Sequence, residues 1–259
     1  MKFALANGQR QEAQPKARGE CPACGSPMIA RCGEQKVWHW AHKASSNCDP
    51  WWENETPWHR DWKNQFPVDW QEIVQYADDG ERHIADVKTA DGWVIEFQHS
   101  YIKPEERRSR DGFYDKLIWV VDGLRRKTDK DRFLKAWEEG TPIGAKGPMR
   151  RAFSDDCRLL KEWSGSPGPV FFDFGEDHML GWLLAKRADG PVYIAPFQRA
   201  MLVGIHRGMS EQATRDFDSF VEDIDGLISN YEAHRRAPAG NRIPPIPTRG
   251  RVRPRRRPL

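Results

Sequence analysis

The segment Arg82 to Ser100, RHIADVKTADGWVIEFQHS, constrains the fold more than any other stretch, because it reads as a β-hairpin with an acid inside each apolar strand. Alternate strand residues share a face, so Ile84 goes with Asp86, and Val94 with Glu96 and Gln98. A three-residue turn at Ala90, Asp91 and Gly92, with the glycine at positive φ, pairs Thr89 with Trp93 and sets Asp86 opposite Glu96. Two facing carboxylates repel unless a cation or a shared proton joins them. A hard divalent cation such as Mg2+ suits the pair, since it takes one or two protein carboxylates and fills its shell with water and phosphate oxygens. The ordinary alternative is a half-exposed hairpin whose acids face water.

The 259 residues allow one large domain or two modest ones, and 38% hydrophobic residues with a mean hydropathy of −0.80 describe a globular but wet chain. Most of the twelve Trp belong in cores, because indole buries a large area and needs a single hydrogen bond. The net charge of +3 is unevenly spread: nine Arg and no acid lie between Arg235 and Leu259, which leaves −6 for the remainder. An acidic body with a separate basic tail follows. No run approaches the roughly 18 apolar residues of a membrane span, and Met1 to Asn7 is too short for a signal peptide, so a cytoplasmic protein without a membrane partner is expected. Four of the five Cys lie between Cys21 and Cys48, which suits a metal site in a reduced compartment better than a disulfide framework.

Residues 1 to 20 are polar, with one possible strand at Lys2 to Ala6. The pattern then predicts a helix from about Glu53 to Phe66, with Pro57 in its first turn, and a strand at Glu72 to Tyr76. After the hairpin come a charged helix from Pro104 to Tyr114 and an apolar strand at Lys116 to Val121. This αβββαβ order implies an α/β fold: a mixed sheet flanked by helices. A helix over Thr128 to Glu139 ends at Gly140, and Thr141 to Pro148 is a loop rich in Gly and Pro. Strands at Val170 to Phe174, Leu180 to Ala185 and Val192 to Ile205 follow. Ser210 then caps a helix with Phe217, Phe220, Val221, Ile224, Leu227, Ile228 and Tyr231 at helical spacing. The expected domains are an N-terminal module at 1–50, a core at 51–149, a C-terminal α+β region at 150–235 and a disordered Arg/Pro-rich tail at 236–259.

Cys21-Pro-Ala-Cys24, then His39-Trp-Ala-His42 and Cys48, has the spacing of a tetrahedral Zn2+ site: the CxxC turn presents two thiolates, and a later His and Cys close it. The expected ligands are Cys21, Cys24, His42 and Cys48, with His39 the rival of His42. Cys32 reads as a small buried apolar residue. Reduced cysteines in a small core, with surface histidines, are the plainer alternative. Glu55, His59 and Lys63 are spaced four apart, so they stack on one face of the predicted helix. Such a row is ordinarily a solvated ion-pair ladder, but its place just before the hairpin can lay an acid and a donor against Asp86 and Glu96. Arg110 and Tyr114, also four apart, can present a phosphate donor and a hydroxyl, but the ordinary reading of the pair is an exposed helix face.

Together CPAC, HWAH, ETPWHRDWK, HIADV and VIEFQ, closely spaced and in this order, resemble the CoiA-like competence nucleases of the PD-(D/E)xK superfamily over roughly residues 20 to 122. The resemblance implies a restriction-endonuclease-like core behind a zinc-binding module, with Asp86 and Glu96 as ligands of catalytic Mg2+ (or Mn2+) and Glu55 as the supporting acid. It also implies hydrolysis of DNA phosphodiester bonds in competence, recombination or DNA processing, alongside competence or recombination proteins. One departure matters: the superfamily motif usually ends in Lys, and here that position is Gln98. An amide can orient a water but brings no charge to the attacked phosphate, so Lys63 or His59 is expected to supply it. A noncatalytic DNA-binding adaptor that keeps the fold is the competing expectation, and an RNA-binding module led by the basic tail is a third.

Overall fold

The computed structural model describes residues 1–44, 48–49, 51, 55–78, 80–144, 147–175, 179–184, 190–208 and 216–236. Its first element is an antiparallel sheet of β1 (Phe3–Ala6), β2 (Gln9–Glu12), β3 (Arg18–Glu20), β4 (Pro27–Arg31) and β5 (His39–His42), ordered β2-β1-β3-β4-β5. Strand β1 answers the expected strand, whereas β2 and β3 are polar in sequence because they lie largely at the surface and bury little of either face. Met1, Ala4, Ala6, Met28 and Trp40 pack one small core here together with Cys21 and Cys48, and Cys32 lies partly buried against it.

Helix α1 (Pro57–Lys63) begins later than its apolar pattern suggests. Thr56 Oγ1 accepts the His59 N–H at 3.3 Å, and His59 Nδ1 accepts the Thr56 N–H at 3.4 Å, a reciprocal cap that fixes the start with Pro57 in the first turn. Glu55 therefore precedes the helix, which corrects the expected common face for Glu55, His59 and Lys63. The helix also ends at Lys63 rather than Phe66.

Strands β6 (Gln71–Tyr76), β7 (Arg82–Lys88) and β8 (Val94–Gln98), helix α2 (Pro104–Phe113) and strand β9 (Leu117–Asp122) complete the expected order. Helix α3 (Asp129–Glu139) stops at Gly140. Next come β10 (Thr141–Pro142), β11 (Arg150–Ala152), α4 (Arg158–Trp163), β12 (Val170–Asp173), β13 (Met179–Leu184) and β14 (Val192–Gln198). The strand expected to run to Ile205 stops at Gln198, where α5 (Arg199–Arg207) begins. Its run of apolar residues fits a helix as well as a strand, and Leu202, Val203 and His206 bury one helical face.

Nine strands join in one mixed sheet, ordered β10-β11-β14-β13-β12-β9-β8-β7-β6. The expected boundary at residue 149 falls inside it. Only β8, β9 and β12 run parallel, and these central strands are buried along their whole length, as strands covered on both faces must be. Residues Met1–Phe217 form one compact unit. A second unit, Asp218–Leu259, contributes most of α6 (Phe217–Arg236). The expected cap at Ser210 and the tail beyond Arg236 lie outside the described residues. Among the described residues, no helix is long and apolar enough to cross a membrane.

Candidate functional site

The hairpin turn has the expected form: Gly92 takes φ 87°, and the Thr89 N–H donates to the Trp93 carbonyl at 2.8 Å. Register runs Lys88↔Val94 and Val87↔Ile95, so Asp86 comes level with Glu96. Main-chain pairing stops there. The Phe97 N–H instead donates to Asp86 Oδ2 at 3.0 Å, which parts the strands and fixes the carboxylate. On the other side β6 pairs Gln71↔Val87 and Ile73↔Ala85, skipping Glu72, which sits level with Asp86 at φ 48°. Glu72, Asp86 and Glu96 thus form a row across three adjacent strands. Glu72 lacks any sequence signal beyond being an acid at a strand start, and only the pairing of β6 with β7 brings it into the row.

Lys63 enters this row from α1. Its buried ammonium lies 2.9 Å from Glu72 Oε1, 3.0 Å from Glu55 Oε1 and 3.6 Å from Asp86 Oδ1. Burial alone lowers an ammonium pKa, but Glu72, Asp86 and Glu55 outweigh it and hold Lys63 charged. Burial likewise works against the Glu72 carboxylate, yet Lys63, the terminal amine and the Lys2 N–H bring it down to about 2. Glu72 also accepts the Lys2 N–H at 2.6 Å and the Phe3 N–H at 2.9 Å, so it fastens β1 to the large sheet. Arg60 Nε donates to Glu55 Oε1 at 2.9 Å.

Glu96 is buried, and Arg110 Nη1 donates to its Oε2 at 3.1 Å. Burial, reinforced by Asp86 and only partly opposed by Arg110, pushes Glu96 up to about 8. Arg110 and Tyr114 are themselves buried, at 6% and 7% exposure, which overturns the exposed helix face expected of them. Arg110 lines the cavity, and Tyr114 packs in the core edge-on to Trp51. His59 lines the cavity but is held at both ring nitrogens: Nε2 donates to the Phe97 carbonyl at 2.9 Å and Nδ1 faces Thr56 Oγ1 at 2.9 Å. Gln98 is buried on β8, its Nε2 donating to the Ser100 carbonyl at 3.3 Å, and it is not among the residues lining the cavity.

These side chains enclose a cavity of about 60 Å³ lined by Glu55, Lys63, Glu72, Asp86, Glu96 and Arg110, with Asp49 and Trp51 at its wall. Glu55 Oε2 and Glu96 Oε1 are buried in it without a hydrogen-bond partner. Orphaned carboxylate oxygens beside a third acid suit a divalent cation, and Asp86, Glu96 and Glu55 are the residues that could hold one.

The Cys/His centre is more compact. Cys21, Cys24, His42 and Cys48 bring one ligand atom each within 4.8 Å of one another, and they are the one such group among the described residues. The Cys21 and Cys48 sulfurs lie 3.5 Å apart, and Cys24 Sγ lies 3.4 Å from His42 Nε2. Tetrahedral Zn–S bonds of about 2.3 Å require edges of about 3.8 Å, so the four residues fit structural zinc. The CxxC turn is closed by Cys21 N–H to Ser26 O at 2.9 Å and Gly25 N–H to Cys21 O at 2.9 Å. Strand alternation puts His42 on the face of Trp40 and leaves His39 on the other, where its Nδ1 meets the Val37 carbonyl at 2.9 Å. Burial raises the Cys24 thiol, but the Ser26, Cys48 and His42 donors outweigh it and bring it down to about 6, so one thiolate stands ready near neutral pH.

Residues 5–50 match the family model described as Competence protein CoiA, N-terminal domain. Over these residues alone the chain is similar to that domain. The match takes in the end of β1, strands β2 to β5 and all four residues of the Cys/His centre. No curated protein and no solved structure matches the chain.

Proposed function

We propose that this chain is a divalent-cation-dependent DNA nuclease with a restriction-endonuclease-like core, acting in competence, recombination or DNA processing. The observation that carries the proposal is the row of Glu72, Asp86 and Glu96 around a small cavity that also holds Lys63 and two orphaned carboxylate oxygens. A Mg2+ or Mn2+ ion would be held by Asp86 and Glu96, with Glu55 supporting it, and when bound it supplies charge to a phosphoryl oxygen and acidifies a water. Lys63 provides the fixed positive charge that Gln98 cannot, since its ammonium already stands beside Asp86. His59, held at both nitrogens, aligns α1 with β8. Arg110 holds Glu96 in place from α2. The Arg-rich tail gives the acidic body a contact with DNA phosphates.

A second reading, a noncatalytic DNA-binding adaptor, draws on Gln98 and on the Lys63 ammonium, which already contacts three of the acids without any metal ion. Linear, circular and single-stranded DNA and RNA, incubated with pure protein and Mg2+ or Mn2+ against EDTA, separate the two. Cleavage lost in Asp86→Ala is the expected outcome; binding without cleavage under every condition favours the adaptor. Full activity in Lys63→Ala would remove Lys63 from the reaction.

A further inference from the structure

We infer that Asp49 is a positioning residue that makes the carboxylate site depend on the Cys/His centre, an inference that rests on the cation reading of that site. Asp49 directly follows Cys48, one of the four clustered ligands. Both oxygens of its carboxylate are engaged by the protein. Oδ1 accepts the Trp51 N–H at 3.0 Å and meets His83 Nδ1 at 3.0 Å, while Oδ2 accepts the Ile84 N–H at 2.9 Å. With three donors already on it, Asp49 lines the cavity as a brace and not as a ligand.

Each donor leads to one arm of the site. Ile84 lies on β7 two residues before Asp86, on the same face, and both line the cavity. Trp51 leads to the other arm, because its carbonyl accepts Arg110 Nη2 at 2.6 Å and Arg110 Nη1 holds Glu96 at 3.1 Å. His83, the third donor, stacks on the Trp51 ring and ties the two arms together. A shift of Cys48 is thereby passed through one carboxylate to Asp86 on one side and Glu96 on the other. Zinc bound at Cys48 would add a covalent hold on the residue next to that carboxylate.

Full-length wild type and Asp49→Asn are compared by zinc per chain, by Mn2+ affinity from the electron paramagnetic resonance signal of the free ion, and by hydrogen exchange of the β7 amides. The expected result is a variant that keeps its zinc, exchanges faster at Ile84 and binds Mn2+ at least about tenfold more weakly, as loss of an outer brace does elsewhere. Zinc-replete Asp49→Asn with Mn2+ affinity within about twofold of wild type overturns the inference and leaves the cation site standing. If wild type binds no Mn2+, the cation reading itself fails, and exchange at Ile84 alone decides the coupling. A zinc-selective chelator applied to wild type covers the case in which the variant does not fold: faster exchange at Ile84 supports the coupling, and unchanged exchange overturns it.

Discussion

The Lys63 ammonium lies 2.9 Å from Glu72, a carboxylate whose two oxygens also accept the backbone N–H groups of Lys2 and Phe3. One acid thus joins a helix, the large sheet and the amino-terminal sheet. Glu72→Gln removes the charge opposite a buried ammonium and weakens the hold on β1. Breaking a buried pair from one side typically costs roughly 3–5 kcal/mol, and such a loss is expected in urea unfolding. A change below about 1 kcal/mol would show the pair to be incidental.

Glu96 gives the site a pH dependence of defined sign. Its pKa rises from the ordinary carboxylate value of 4.5 to about 8 on folding, so between those limits the folded chain holds a proton that the unfolded chain has lost. Without a cation, stability contributed by this group is therefore present below pH 4.5 and declines as pH rises towards 8, by at most about 1.4 kcal/mol per pH unit. Mn2+ affinity runs the opposite way, strengthening by up to about tenfold per unit until Glu96 is ionised. Thermal melts and Mn2+ titrations across this range check both slopes. Glu96→Gln should flatten the melts, and a variant that keeps the wild-type slope would assign the proton elsewhere.

Zinc at Cys21, Cys24, His42 and Cys48 should be stoichiometric and should carry folding energy for a module whose own core is small. Cys24→Ser is expected to abolish zinc in elemental analysis and to lower the melting temperature by about 5 °C or more, taking each kcal/mol as roughly 2–4 °C for a domain of this size. Purified wild type with no zinc, and a Cys24→Ser variant that melts with it, would leave four reduced cysteines in a core.

The order of the core elements, the hairpin turn and the register of Asp86 against Glu96 were legible because period-two alternation and one glycine at positive φ determine them locally. The Cys/His group was legible from spacing, and alternation along β5 even decides between His39 and His42. What stayed hidden depends on contacts far apart in the chain. Asp49 and Glu72 are single acids with no periodic neighbour, and only folding brings them to the cavity. Arg110 and Tyr114 looked exposed because α2 is rich in charge, yet Arg110 is buried against Glu96 and Glu106. Strand β14 and helix α5 merged into one predicted strand because a run of apolar residues has no single period.

An acidic body meets a polyanion only through cationic side chains set apart from its acids. Outside Arg235 to Leu259 the chain carries −6, and inside that stretch it carries nine Arg without an acid. Phosphate contacts release counterions, so each one steepens the fall of affinity with salt by a logarithmic slope of about 0.9 on duplex DNA. Deleting residues 237–259 removes seven of those Arg while leaving α6 whole. DNA binding by the shortened protein should weaken at low salt and depend less steeply on salt, the slope shrinking by several units if most of these Arg reach phosphates. Fluorescence anisotropy at a series of salt concentrations measures both. Equal affinity at every concentration would assign the DNA contact to the folded body instead.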